Sequence, residues 1–232
     1  MLRHIRLLVL DLDYIVFDCA RLKIESLRRS LISLAEAIPH DIRLPDAQDA
    51  EEGFIEHGFR WTQFLDIGLD EGRMDELQQA YRIHESRLIE AGLGHIYSGI
   101  QEFFQGCKSA GLSLALGAEA RREYLMAVSD RYELDRFFDL ALCTEEYGSG
   151  MADEMLDEMM QRLEVNPSET VVLGVRPSLF RAAQNIDIIT VGCGWGTHRG
   201  ELLAAADLQS PSMRHLRPTL LRADELAARH IN

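Results

Sequence analysis

An α/β fold, with a parallel sheet and a helical insertion after its first strand, is what this sequence predicts. Five short apolar runs read as strands: 6–11, 112–118, 139–143, 170–175 and 187–192. A parallel strand is covered on both faces, so it shows a continuous apolar run rather than an alternation. From residue 100 onward these runs alternate with helical stretches, which is the pattern of βαβ units. About a hundred residues, 12–111, separate the first run from the second, far more than a simple βα connection needs, and they carry helical periodicity.

The elements follow in order. The first run, RLLVLD, leads into Asp11 and Asp13, one residue apart. Carboxylates at the end of a buried parallel strand lie at the carboxyl edge of the sheet, where α/β folds build their sites. A strand alternates faces, but where it ends the backbone turns and both groups can approach one ligand. Residues 19–37 and 74–91 have apolar positions at helical spacing. The segment 39–72 is broken by Pro39, Pro45, Gly53, Gly58, Gly68 and Gly72. Helices are expected at 121–134, 153–164 and 177–185, and an amphipathic one at 219–230. Pro167 and Ser168 suit the turn into 170–175. The expected division is a core of residues 1–15 and 96–232 with a helical cap of residues 16–95.

Composition narrows the function. Of 232 residues, 47% are hydrophobic and 27% charged, enough for a real core. The formal charge of −14 argues against nucleic acid, which needs a basic face. No run approaches the 18 apolar residues of a membrane span, and the chain moves directly into a strand, so neither a span nor a leader is expected. Cys19, Cys107, Cys143 and Cys193 form no CxxC pair and read as isolated thiols of a cytoplasmic protein. The eight histidines have no zinc spacing. Met151, Met155 and Met159 read as a core-facing stripe, and the glycines of 192–196 as a turn. Phe54, Phe59, Trp61 and Phe64 are expected to pack within the cap, with a substrate-facing cluster as the alternative.

The stretch RLLVLDLDYIVFD (6–18) resembles the first motif of the haloacid dehalogenase-like (HAD) hydrolases, an apolar strand followed by Asp-x-Asp-Gly-Thr-Leu-x-Asp. Three further passages are similar to that family in order and spacing: 99–120, 136–150 and 169–196. The resemblance covers nearly the whole chain. It implies a Rossmann-like parallel core with an inserted helical cap, as in members similar to phosphoglycolate phosphatase and β-phosphoglucomutase. It also implies that Asp11 is the nucleophile and Asp13 the general acid/base, the two together holding Mg2+ if a metal binds. An ionised aspartate is a reasonable covalent nucleophile, and a neighbouring carboxyl can relay a proton.

The other motif positions depart from the family. The Ser or Thr of the second motif falls on Ala118, and the lysine of the third falls in the passage Gly150, Met151, Ala152, Asp153. The two acidic positions of the fourth fall on Val175 and Leu179. Only two lysines occur, Lys23 and Lys108; Lys23 reaches the pair only if the cap folds over it. Two carboxylates about 4 Å apart repel by roughly 4 kcal/mol at an effective dielectric of 20. Without a metal, one must protonate or a protein cation must move in. Arg176 is nearest by sequence, so its guanidinium, or that of Arg121 or Arg122, is expected beside Asp11 and Asp13. A solvated loop arginine is the alternative. Arg176 and Arg122 are also the candidates for contacting a phosphorylated ligand.

Three functions follow, in order. The first is a HAD-like protein with a degenerate, inactive phosphatase site and no cofactor, binding a phosphorylated small molecule or a protein partner. The second is a working phosphatase, acting through a phosphoaspartate at Asp11, with Mg2+ held by rebuilt ligands. The third is a metal-free dehalogenase, which wants a lysine and halide-site groups that are missing. Neither nucleic acid nor membrane is expected as a partner.

Overall fold

The computed structural model describes residues 2–34, 53–55, 69–147, 152–196 and 200–230. The chain divides into two compact units, Met1–Asp18 with Ile96–Asn232, and Cys19–His95.

The first unit is built on six parallel strands: β1 (Leu7–Asp11), β4 (Ser113–Ala118), β5 (Leu140–Cys143), β6 (Thr170–Gly174), β7 (Ile189–Cys193) and β8 (Leu208–Ser210). Their order is β5-β4-β1-β6-β7-β8. The register is parallel throughout, with Leu8 opposite both Leu114 and Val171. Each apolar run in the sequence corresponds to one strand. β8 was not expected: it is three residues long, lies at the sheet edge and carries an exposed Gln209 between two buried neighbours. Two further strands, β2 (Phe17–Asp18) and β3 (His95–Ile96), pair in a two-residue ribbon where the chain leaves and re-enters this unit. Strands that short carry no periodicity to read.

The chain winds outward from β1 through β4 and β5, then returns to the other side of β1 and continues through β6, β7 and β8. This reversal makes the carboxyl ends of β1 and β6 the topological switch point, where such folds open a crevice. Helices α3 (Ile100–Ser109), α4 (Arg122–Tyr132), α5 (Ala152–Leu163), α6 (Pro177–Asn185) and α7 (Gly200–Leu203) connect successive strands, and α8 (Met213–His230) follows β8. Met155 and Met159 are buried in the core with Leu7, Val9, Val172 and Leu179, so the stripe faces inward there. Met151 lies outside the described residues. Helix α8 begins at Met213, not Thr219, and continues through Pro218. Proline removes one intrahelical bond without forbidding the helix where tertiary packing supports it.

In the second unit, α1 (Ala20–Ser33) packs with α2 (Glu71–Glu90). Helix α2 starts at Asp70, whose side chain accepts from the Arg73 amide at 2.9 Å, a standard N-cap. Leu27, Leu31, Leu77, Tyr81 and Phe54 form its core. Lys23 is buried with its Nζ 5.5 Å from the Phe54 ring centroid, a cation–π arrangement. Phe59, Trp61 and Phe64, and most of 39–72, lie outside the described residues.

All four cysteines are buried, and none is in a disulfide. Burial pushes the Cys107 thiol up to about 12. Burial, with Glu146 beside it, pushes Cys143 to about 11. Protonated thiols of this kind are poor nucleophiles.

Asp224 of α8 fastens the entry to β1. Its carboxylate accepts from the backbone amides of Arg3, His4 and Ile5 at 2.7–3.0 Å. Partial burial opposes ionisation, but these amides, with His4 nearby, outweigh it and hold the carboxyl below its ordinary range. A depressed folded pKa contributes stability that is present above the unfolded value and is lost as pH falls through the folded one. Asp224→Ala is therefore expected to cost about 2 kcal/mol at pH 7. The deficit should narrow as pH drops below about 4, as urea unfolding of both proteins across pH 3–7 would show.

Candidate functional site

The site begins with a turn. After β1, the Leu12 amide donates to the Gly117 carbonyl at 2.8 Å, one last step of sheet pairing. The chain then doubles back: the amides of Val16 and Phe17 donate to the Leu12 carbonyl, and that of Tyr14 to the Phe17 carbonyl. Tyr14 has φ 66°, a left-handed conformation that costs a non-glycine residue about 1–2 kcal/mol. The loop after β7 supports it. Gly196 lies so close that a Cβ there would fall 2.0 Å from the Tyr14 oxygen. Trp195 Nε1 donates to the Ile15 carbonyl at 3.2 Å.

This turn undoes the strand alternation and brings Asp11 and Asp13, each 1% exposed, to one cation. Arg176, immediately after β6 and its neighbour Val175, is fully buried. Its Nη2 donates to Asp13 Oδ2 at 3.0 Å, and its Nε makes an ion-pair contact with Asp11 Oδ2 at 3.3 Å. On the other side, Nη1 is 3.4 Å from Glu119 Oε2 and 3.5 Å from the Glu119 carbonyl oxygen. Burial alone would favour the neutral guanidine, but Asp11, Glu119 and Asp13 outweigh it and raise the Arg176 pKa well above its ordinary value. Tyr124 at the start of α4 donates its hydroxyl to Asp13 Oδ1 at 2.6 Å. Ser178 in the first turn of α6 donates to Glu119 Oε1 at 3.0 Å. One planar guanidinium thus serves three carboxylates, a geometry that a compact ammonium does not reproduce.

The structure therefore brings together Asp11, Asp13 and Arg176. It does not bring Arg122 to them. That side chain is 59% exposed and pairs with Glu146, while its backbone amide donates to Glu145 at 2.9 Å. Arg121 is largely buried and lies 3.4 Å from an exposed Glu123. Ala118, Val175 and Leu179 are all buried, and Leu179 packs into the core. Gly150 and Met151 lie outside the described residues. Tyr124 and Ser178 are site residues that sequence reasoning missed. Their one signal is that each begins a helix leaving the carboxyl edge of the sheet.

Magnesium takes near-octahedral oxygen ligation, mostly from carboxylates and water. Here an oxygen of each aspartate faces the guanidinium, and the positions after β6 expected to complete the shell, Val175 and Leu179, are aliphatic. Among the described residues, no group of three or more His, Cys, Asp or Glu is arranged to hold a metal ion. The donor set of the described residues does not fit Mg2+.

Comparison with known proteins places this geometry in context. A phosphoglycolate phosphatase of Vibrio vulnificus (strain CMCP6) is 23% identical over 137 residues, which span 57% of this chain and 60% of that protein. The crystal structure of a predicted phosphatase from Clostridium acetobutylicum superposes with TM-score 0.79 at 17% identity, covering 95% of this chain and all of the other. CbbY from Rhodobacter sphaeroides, solved in complex with phosphate, superposes at 0.76 with 16% identity, covering 91% and 96% of the two chains. At such identities the superpositions speak for the fold. The haloacid dehalogenase-like hydrolase family model matches residues 8–193, from β1 to the end of β7, so the chain belongs to the haloacid dehalogenase-like hydrolase family.

Proposed function

We propose that this protein keeps the phosphatase-like fold of its family without phosphoryl transfer at Asp11, and works by binding a phosphorylated small molecule or a protein partner. The carrying observation is the buried Arg176 guanidinium lodged between Asp11 and Asp13. A nucleophilic carboxylate needs a free oxygen aimed at phosphorus, and Asp11 Oδ2 lies 3.3 Å from Arg176 Nε instead. The Ser or Thr donor expected at Ala118 is worth about 2.7–4 kcal/mol in a transition state of this kind. A metal's charge stabilisation adds several more, although such losses do not simply sum. Phosphate monoesters need among the largest accelerations known, so little turnover survives such losses.

No helix among the described residues is long and apolar enough to cross a membrane. Four buried thiols without a disulfide among them support a reducing compartment such as the cytoplasm. The intact Asp11 and Asp13, with the likeness to a phosphoglycolate phosphatase, favour a second reading. In it Asp11 and Asp13 would hold Mg2+ together with ligands rebuilt elsewhere, and a phosphomonoester would be hydrolysed through a phosphoaspartate at Asp11.

Calorimetric titration with Mg2+, combined with turnover of p-nitrophenyl phosphate and phosphoglycolate, separates the two readings. No heat of Mg2+ binding, and turnover no higher in wild type than in Asp11→Asn, are expected. Mg2+-dependent turnover that Asp11→Asn abolishes would establish the second.

A further inference from the structure

At the amino end of the sheet, opposite the carboxylate pair, the first unit contains a half-open cavity of about 320 Å³. Helix α3 contributes Phe103, Gly106 and Cys107 to its walls, and α8 contributes Arg217, Leu220 and Leu221. Leu112, just before β4, also lines it. Among these residues Arg217 is the only charged one; it is exposed, and no ion pair involves it among the described residues. Cys107 adds no second charge, since burial holds it as a neutral thiol.

We infer that this cavity binds a single-chain amphiphile with an anionic carboxylate head, its alkyl chain between α3 and α8 and its head on Arg217. Two further observations argue that it is not a packing gap that folding left by chance. A Cβ built on Gly106 meets no atom within 4 Å, so the α3 wall stands open just where a chain would lie. Leu221, on the facing helix, is 39% exposed, which is unusual for a large aliphatic side chain here. An apolar cleft with one convergent polar group is the usual composition of a small-molecule site, and this volume falls at the small end of the range, about 300–1,000 Å³. That size suits a short alkyl chain rather than a fused-ring ligand. The charge matches as well: a guanidinium grips a carboxylate through two parallel hydrogen bonds. The net charge of −14 repels anions at long range, so affinity must come from contact inside the cleft. The site owes nothing to Asp11 or Arg176, and it holds whichever reading of that pair is correct.

Calorimetry of the full chain with hexanoate, octanoate and decanoate, each below its critical micelle concentration, tests the inference. Affinity is expected to rise about fourfold per methylene. Arg217→Gln should weaken octanoate about tenfold or more and leave 1-octanol unaffected. Gly106→Leu, which fills the opening where space exists, should abolish binding of both while thermal unfolding stays cooperative. The absence of binding by any of the three acids would overturn the inference. So would an affinity independent of chain length, or binding that survives Gly106→Leu.

Discussion

Arg176→Met is expected to lower the unfolding free energy by about 3–5 kcal/mol, the usual consequence of removing one partner from a buried ion cluster. The loss comes less from the contacts themselves than from what remains. Asp11 and Asp13, each 1% exposed, would lose the guanidinium between them, and Glu119 would lose its contact with Nη1. Urea unfolding at pH 7 measures the deficit. The triple variant Asp11→Asn, Asp13→Asn, Arg176→Met should recover much of the loss, since the aspartate pair then carries no buried charge. Equal stability of Arg176→Met and wild type would mean that the guanidinium does not neutralise the pair.

Gly196→Ala should be nearly as damaging, at about 3 kcal/mol, although it adds one methyl group. The new Cβ would lie 2.0 Å from the Tyr14 oxygen and 2.8 Å from Val175 Cγ1. Neither neighbour is free to move. The Tyr14 peptide belongs to the left-handed turn that aims Asp13, and Val175 leads directly into Arg176. Gly106→Ala provides the control, because its Cβ meets open space in a helix where alanine is favoured by up to about 1 kcal/mol. Thermal unfolding of the two variants should therefore move in opposite directions. A Gly196→Ala protein as stable as wild type would show that the turn is not braced by the β7 loop.

How much of this was legible in the sequence depended on where the information lies. Runs such as LLVLD and TVVLG announce buried parallel strands because both faces must be apolar, and that requirement is local. β8 is invisible for the opposite reason: three residues at a sheet edge, one of them exposed, impose no pattern. At the site, Arg176 could be nominated because unbalanced carboxylates demand a cation and it was the nearest by sequence. Arg121 and Arg122 met the same demand on paper, and only the fold decided among them. Tyr124 and Ser178 could not be nominated at all. Their hydroxyls reach Asp13 and Glu119 across the sheet edge, a proximity set by the packing of α4 and α6 and not by any spacing along the chain.

The Asp224 clasp bears on how the molecule comes to be folded. β1 is the central strand and the first to be synthesised, yet its partners on one side lie in β6 and its entry is fastened by α8. Until those segments emerge, the LLVLD strand has an unpaired edge and no anchor, the condition in which apolar strands find wrong partners. Its contacts span most of the sequence, and such long-range closure slows folding. Asp224→Ala would then lengthen the interval during which this strand is unprotected, so its effect would be seen in refolding yield and not only in the stability of the finished protein.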